Sequence, residues 1–112
     1  MFAQIRRMKQ GLLMAGLLAT SAPLWAAEYW IDVRVPEQYQ QEHVKGAHNI
    51  PIKNLAQRIG ALTQDKNDTL HLYCNSGRQS GQAETLLQQM GYRHAVNAGG
   101  LEQVAAHQQM VK

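Results

Sequence analysis

Cysteine is nearly absent from this chain: among 112 residues there is one, Cys74. A single thiol excludes an internal disulfide, and the lack of a Cys-x-x-Cys pair excludes thioredoxin-like dithiol exchange. The five histidines, His43, His48, His71, His94 and His107, show no metal-ligand spacing, so no metal site is expected. No apolar run reaches the roughly 20 residues that a comfortable membrane span needs. Beyond residue 26 there is no repeat, linker or low-complexity segment. A surplus of charge is missing there too. The chain carries 11 basic and 8 acidic residues, but Arg6, Arg7 and Lys9 precede Ala27 and none of the acids does. The remainder is balanced, with no basic stripe, so nucleic acid is not an expected partner.

The first 26 residues have a different character. A basic start (Met1 to Gln10) is followed by an apolar stretch from Gly11 to Ala19, and then by Ser21-Ala22-Pro23-Leu24-Trp25-Ala26. Basic, apolar and small-residue segments in that order predict a secretory signal peptide. Cleavage is expected after Ala26, with the position after Ala27 as the neighbouring alternative and an uncleaved anchor as the dull one. Residues 27–112 then form one small domain, exported and not stably inserted in a membrane. An oxidising compartment makes a lone thiol a liability unless it is buried or used.

What surrounds Cys74 favours use. Thr69-Leu70-His71-Leu72-Tyr73 reads as a buried strand, and Gln82 to Met90 reads as a helix. Between them lies Cys74-Asn75-Ser76-Gly77-Arg78-Gln79-Ser80. A thiol at a strand end, facing a helix N-terminus, meets backbone N–H groups and a positive dipole end, and both favour the thiolate. The competing reading is an inert buried cysteine.

Strand and helix alternate along the rest of the domain. Strands are expected at Tyr29–Val33, Ala47–Ile50, Thr69–Tyr73 and Arg93–Val96. Helices are expected at Pro36–Glu42, after Pro51 with Leu55, Ile59 and Leu62 on one face, at Gln82–Met90, and at Leu101–His107. Ala83, Leu86, Leu87 and Met90 follow the i, i+3, i+4, i+7 spacing of an amphipathic helix. Asn97-Ala98-Gly99-Gly100 reads as a turn between the last strand and the last helix. The pattern predicts an α/β fold with a mostly parallel sheet flanked by helices, and such sheets bind ligands beyond the carboxyl ends of their strands.

Five pieces in order carry a family resemblance: Trp30-Ile31-Asp32-Val33-Arg34, Glu42-His43-Val44-Lys45-Gly46-Ala47-His48-Asn49-Ile50-Pro51, the Cys74–Ser80 loop, Met90-Gly91-Tyr92, and Asn97-Ala98-Gly99-Gly100-Leu101. Together they resemble single-domain rhodaneses over Ala27 to about Val104. Two features depart from that pattern. Asp32 follows the expected cleavage site by only a few residues, so the sheet is expected to have four or five strands. The tryptophan that often follows Gly-Gly-Leu is absent.

The resemblance implies a thiosulfate sulfurtransferase of the periplasm, with small-molecule substrates and no cofactor. Cys74 would carry sulfur from thiosulfate to cyanide or a thiol. Asn75, Ser76, Gly77, Arg78, Gln79 and Ser80 would form the substrate cradle. From the residues themselves, Ser80 is expected chiefly as the N-cap of the following helix. Asp32 and Arg34 are expected to pair and tie the first strand to nearby loops. Two other classes remain open. One is a non-catalytic sulfur carrier or binding module. The other is a cysteine phosphatase or arsenate reductase, whose loops place arginine sixth after the cysteine; here Arg78 is fourth and Ser80 sixth. The sequence leaves oligomeric state open.

Overall fold

The computed structural model describes residues 26–112. The segment expected as a signal peptide therefore lies, all but its last residue, outside the described residues. Among the described residues no helix is long and apolar enough to cross a membrane.

The chain runs β1 (Glu28–Asp32), α1 (Pro36–Gln41), β2 (His43–Val44), β3 (His48–Asn49), a 3-10 turn (Ile52–Asn54), α2 (Leu55–Leu62), β4 (Thr69–Cys74), α3 (Arg78–Gln89), β5 (His94–Gly100), α4 (Leu101–Ala105) and β6 (Met110–Val111). Four strands form one sheet in the order β3-β1-β4-β5, and every pairing in it is parallel. This is the expected α/β architecture, with four strands in the main sheet. β2 and β6 pair antiparallel as a separate ribbon. Two-residue strands carry no periodicity, which is why that ribbon has no signature in the sequence.

Period-two alternation sorts the strand residues onto two faces. Tyr29, Ile31 and Val33 of the first strand region, with Leu70, Leu72 and Cys74 of β4, join a core closed by Leu55 and Ile59 of α2 and Ala83 and Leu87 of α3. Trp30 and Tyr73 belong to the opposite face, with Val44, Ala47, Leu101 and Val104. β4 is central and its core-facing side chains are fully buried, so the end of this strand is held on both sides. The parity of Leu70, Leu72 and Cys74 points the cysteine toward the face that α3 covers.

The last strand departs from a simple ladder. Leu72 aligns with Asn97, but Tyr73 aligns with Gly99, so Ala98 is an extra residue in β5. Such a β-bulge re-aims the side chains beside it. β5 then runs on through Gly100, where the sequence pattern predicted a turn from Asn97. At Gly100 a Cβ would lie 2.6 Å from the Asn75 carbonyl oxygen, so the strand comes this close to the Cys74 loop only because the residue is glycine.

Candidate functional site

The loop after β4 folds back on the sulfur that ends the strand. The Gly77 amide donates to Cys74 Sγ at 3.0 Å, and the Ser80 amide donates to it at 3.4 Å. The Ser80 hydroxyl lies 3.4 Å from the same sulfur. Gly77 makes this possible: its φ of 92° is left-handed, a conformation that glycine adopts without the Cβ penalty. It turns the chain directly into α3, so the N–H of Ser80, one of those in the first turn without an intrahelical partner, faces the sulfur.

α3 begins at Arg78, a full turn earlier than the apolar periodicity predicts. The helix cap is Gly77, and no side chain caps it. The expected role of Ser80 as N-cap is therefore corrected: Ser80 lies inside the first turn, is completely buried, and aims its hydroxyl sideways at Cys74 and Asn97. The physical reason is that Arg78-Gln79-Ser80-Gly81 contains no apolar residue to mark the helix, although Ser80 sits on the buried face with Ala83 and Leu87.

Cys74 is only 2% exposed, yet it lines a cavity of about 320 Å³ with Val35, Gln38, Asn75, Ser76, Arg78 and Gln79. Four of the six loop residues singled out from the sequence thus share one cavity wall with the sulfur. The other two, Gly77 and Ser80, lie behind it and supply the amides. Val35 and Gln38 went unnoticed in the sequence, because nothing in their local pattern ties them to the cysteine loop.

Charge at the sulfur is set by opposing effects. Burial pushes the Cys74 thiol up. The Ser80 hydroxyl, whose single proton is shared with Asn97 Oδ1, and the amides of Ser80, Gly77 and Ser76 outweigh that, and the pKa lies below the ordinary thiol value. The arrangement can therefore hold a thiolate, or another anionic sulfur, against a small cavity of mixed polar and apolar lining.

A buried ion pair holds the neighbouring loops, as expected for Asp32 and Arg34. Arg34 Nη2 donates to Asp32 Oδ2 at 2.7 Å and Nε donates to Oδ1 at 3.0 Å, with both residues almost wholly excluded from water. The same guanidinium donates to the Glu42 carbonyl at 2.6 Å and reaches Asn75 Oδ1 at 3.4 Å. Burial draws the Arg34 pKa down, but the Asp32 carboxylate more than offsets this and keeps the guanidinium firmly charged. The pair thus joins the end of β1, the exit of α1 and the residue after Cys74.

Comparisons with known proteins agree with this geometry. The model of the Rhodanese-like domain matches residues 17–107. The chain is 61% identical over 97 residues to the thiosulfate sulfurtransferase PspE of Escherichia coli (strain K12), covering 87% of this chain and 92% of that one. Among solved structures, an E. coli rhodanese with anions superposes with a TM-score of 0.73 at 60% identity, covering 77% of this chain and 99% of its own. The human single-domain sulfurtransferase TSTD1 superposes with a TM-score of 0.64 at 26% identity, covering 73% of this chain and 84% of its own. A parallel sheet that delivers one cysteine into a ring of amides, and a domain model that spans most of the sequence, lead to the same conclusion: this chain belongs to the rhodanese family.

Proposed function

We propose that the protein is a thiosulfate sulfurtransferase that works through a persulfide on Cys74. The observation that carries this reading is the sulfur itself, which accepts hydrogen bonds from two backbone amides at the floor of a cavity that Arg78 lines. In the first half-reaction the Cys74 thiolate attacks the outer sulfur of thiosulfate. A new S–S bond forms, the old one breaks, and sulfite leaves with the bonding electron pair. In the second, cyanide or a thiolate attacks the terminal sulfur of the persulfide, and Cys74 leaves as the thiolate with which it began. Covalent transfer of this kind is ping-pong.

Every species on the enzyme is an anion, so one set of N–H donors serves the whole cycle. No general base is needed when the thiolate already exists at the working pH. Near-complete burial of Cys74 suits a small donor that presents its sulfur end-on. Arg78 supplies a planar, permanently charged fork for the sulfonate oxygens. That a solved relative 60% identical to this chain holds anions supports an anion-binding loop here. Asn75, Ser76 and Gln79 complete the cavity wall, and Gly77 and Ser80 hold the sulfur from behind.

Steady-state kinetics test this reading. With thiosulfate and cyanide the protein is expected to form thiocyanate continuously, with parallel double-reciprocal lines. A sulfur carrier would load once and stall. Arg78→Ala is expected to raise the KM for thiosulfate about tenfold or more, through loss of a charge-assisted contact, with a smaller change in kcat. An unchanged KM would remove Arg78 from the substrate site.

The reading also includes export to the periplasm after cleavage behind Ala26. Its support is the order of basic, apolar and small residues at the start of the chain.

A further inference from the structure

Asn97 is expected from the sequence in a turn after the last strand, but it is wired into the sulfur loop through both polar atoms of its side chain. Its Oδ1 accepts from the Ser80 hydroxyl at 2.7 Å and from the Gly99 amide at 3.0 Å. Its Nδ2 donates to the Gly77 carbonyl at 2.9 Å. The two backbone partners fix which way the amide faces, because an N–H can only donate and a carbonyl can only accept. Its own backbone N–H donates to Glu84 Oε2 at 3.1 Å. The β5 bulge at Ala98 follows immediately, which is how an exposed strand residue comes to face the start of α3. Gly81 leaves the space: a Cβ there would lie 3.3 Å from Asn97 Nδ2. Gly81 has ordinary helical geometry, where glycine is less favourable than alanine and no turn justifies it. Room for the Asn97 amide accounts for its presence.

The two loop residues that Asn97 holds are the two whose amides donate to Cys74 Sγ. We propose that Asn97 is a positioning residue for sulfur transfer: its amide braces Gly77 and Ser80 so that their N–H bonds stay aimed at the Cys74 sulfur. It touches neither the sulfur nor the cavity that receives substrate. Its action is through the direction of two donors, and donors to an anion lose strength steeply as they swing out of line.

Other charged groups surround this region. Arg78 of α3 lines the sulfur cavity, and the Asp32–Arg34 pair reaches the loop through Asn75. Glu84 of α3 holds the backbone of Asn97, and Glu102 at the start of α4 lines a second cavity behind Asn75 and Ser76. All of these stay unchanged in the variants below, so in the uncharged alanine variant a change in sulfur ionisation reports on the brace.

The test is the pH dependence of Cys74 alkylation by iodoacetamide in the intact protein, with Asn97→Ala and Asn97→Asp. Alanine removes the brace, and the midpoint is expected to rise by about 0.5–1 pH unit. Below the midpoint this is roughly a three- to tenfold loss of thiolate. Aspartate has the same shape but sets an acceptor against the Gly77 carbonyl and adds negative charge one hydroxyl away from the sulfur. Its midpoint is expected to rise further than that of the alanine variant. The deficit in kcat/KM for thiosulfate is expected to close once the pH exceeds each raised midpoint.

A purely structural asparagine gives a lowered melting temperature with an unmoved midpoint in the uncharged alanine variant. That result overturns the proposal. A lowered midpoint in Asn97→Ala also overturns it, since Asn97 would then be withholding the Ser80 proton from the sulfur. If the alanine variant does not fold, Asn97→Leu, similar in size and uncharged, takes its place: a raised midpoint supports the brace and an unmoved one overturns it. The inference rests on Cys74 as the nucleophile of the proposed function. Alkylation needs no turnover, so a protein that alkylates as expected yet moves no sulfur fails the function and leaves the brace standing.

Discussion

Replacing Cys74 with alanine is expected to abolish sulfur transfer while the domain remains folded. The chain has no second thiol, so no other residue can hold a persulfide. Loss of the nucleophile in a covalent mechanism leaves only the uncatalysed reaction in a binding pocket, a fall of about three orders of magnitude or more in kcat. The structural cost is small by comparison. One sulfur atom is removed at the end of β4, beside a cavity that water can enter, and the amides of Gly77 and Ser80 can turn to that water. The melting curve is expected to shift by a few degrees. The check is thiocyanate formation by the variant alongside circular dichroism, with mass spectrometry after thiosulfate treatment to confirm that no sulfur is added. Retained turnover by a folded Cys74→Ala protein would end the persulfide mechanism.

The largest effect on stability is expected at Asp32. Its carboxylate takes hydrogen bonds from Nε and Nη2 of Arg34 and from the Arg34 backbone amide, at 2.7–3.1 Å. Asp32→Ala leaves a guanidinium that is 4% exposed without its counter-charge. Breaking a buried pair from one side costs about 3–5 kcal/mol, because the remaining charge stays out of water. A domain of this size holds about 5–15 kcal/mol in total, so a large part of its margin is at stake. The melting temperature is expected to fall by at least about 12 °C. Activity is expected to fall with it even below the transition, since Arg34 also fixes the Glu42 carbonyl and the side chain of Asn75. Thermal and urea unfolding followed by circular dichroism measure the first effect. A loss under about 1 kcal/mol would show that water reaches the pair and that it behaves as a surface contact.

The contrast between these two sites explains how far the sequence could be read. Cys74 was legible because its signal is local: a strand pattern, then a run of small and polar residues, then a helical apolar stripe. Asp32 and Arg34 were legible as a pair because they stand two apart at a strand end, where side chains share a face. Asn97 was not legible. Its position depends on one extra residue in β5, and a bulge has no signature in composition or periodicity. The same limit hid the true start of α3. Ser80 is buried by contact with a sulfur and an asparagine instead of hydrocarbon, so hydrophobic periodicity placed the helix a turn late and gave Ser80 the wrong role. The β2–β6 ribbon was missed for a third reason: two strands of two residues each, far apart in the chain, are paired by the fold and not by any local pattern. What the sequence concealed, in each case, was a tertiary contact between polar groups.

The account depends on amide hydrogens that outweigh burial at one sulfur. The most direct measurement is the rate of Cys74 alkylation by iodoacetamide across pH 5 to 10 in the unmodified protein. Thiolate is the reactive form, so the rate rises with pH through the pKa of the thiol and levels off above it. The lowered pKa predicts a midpoint below the ordinary thiol value of about 8.5. It also predicts that kcat/KM for thiosulfate climbs over the same interval and reaches its plateau with it. A midpoint at or above that value would mean that burial prevails over the Gly77 and Ser80 amides, and would contradict the account.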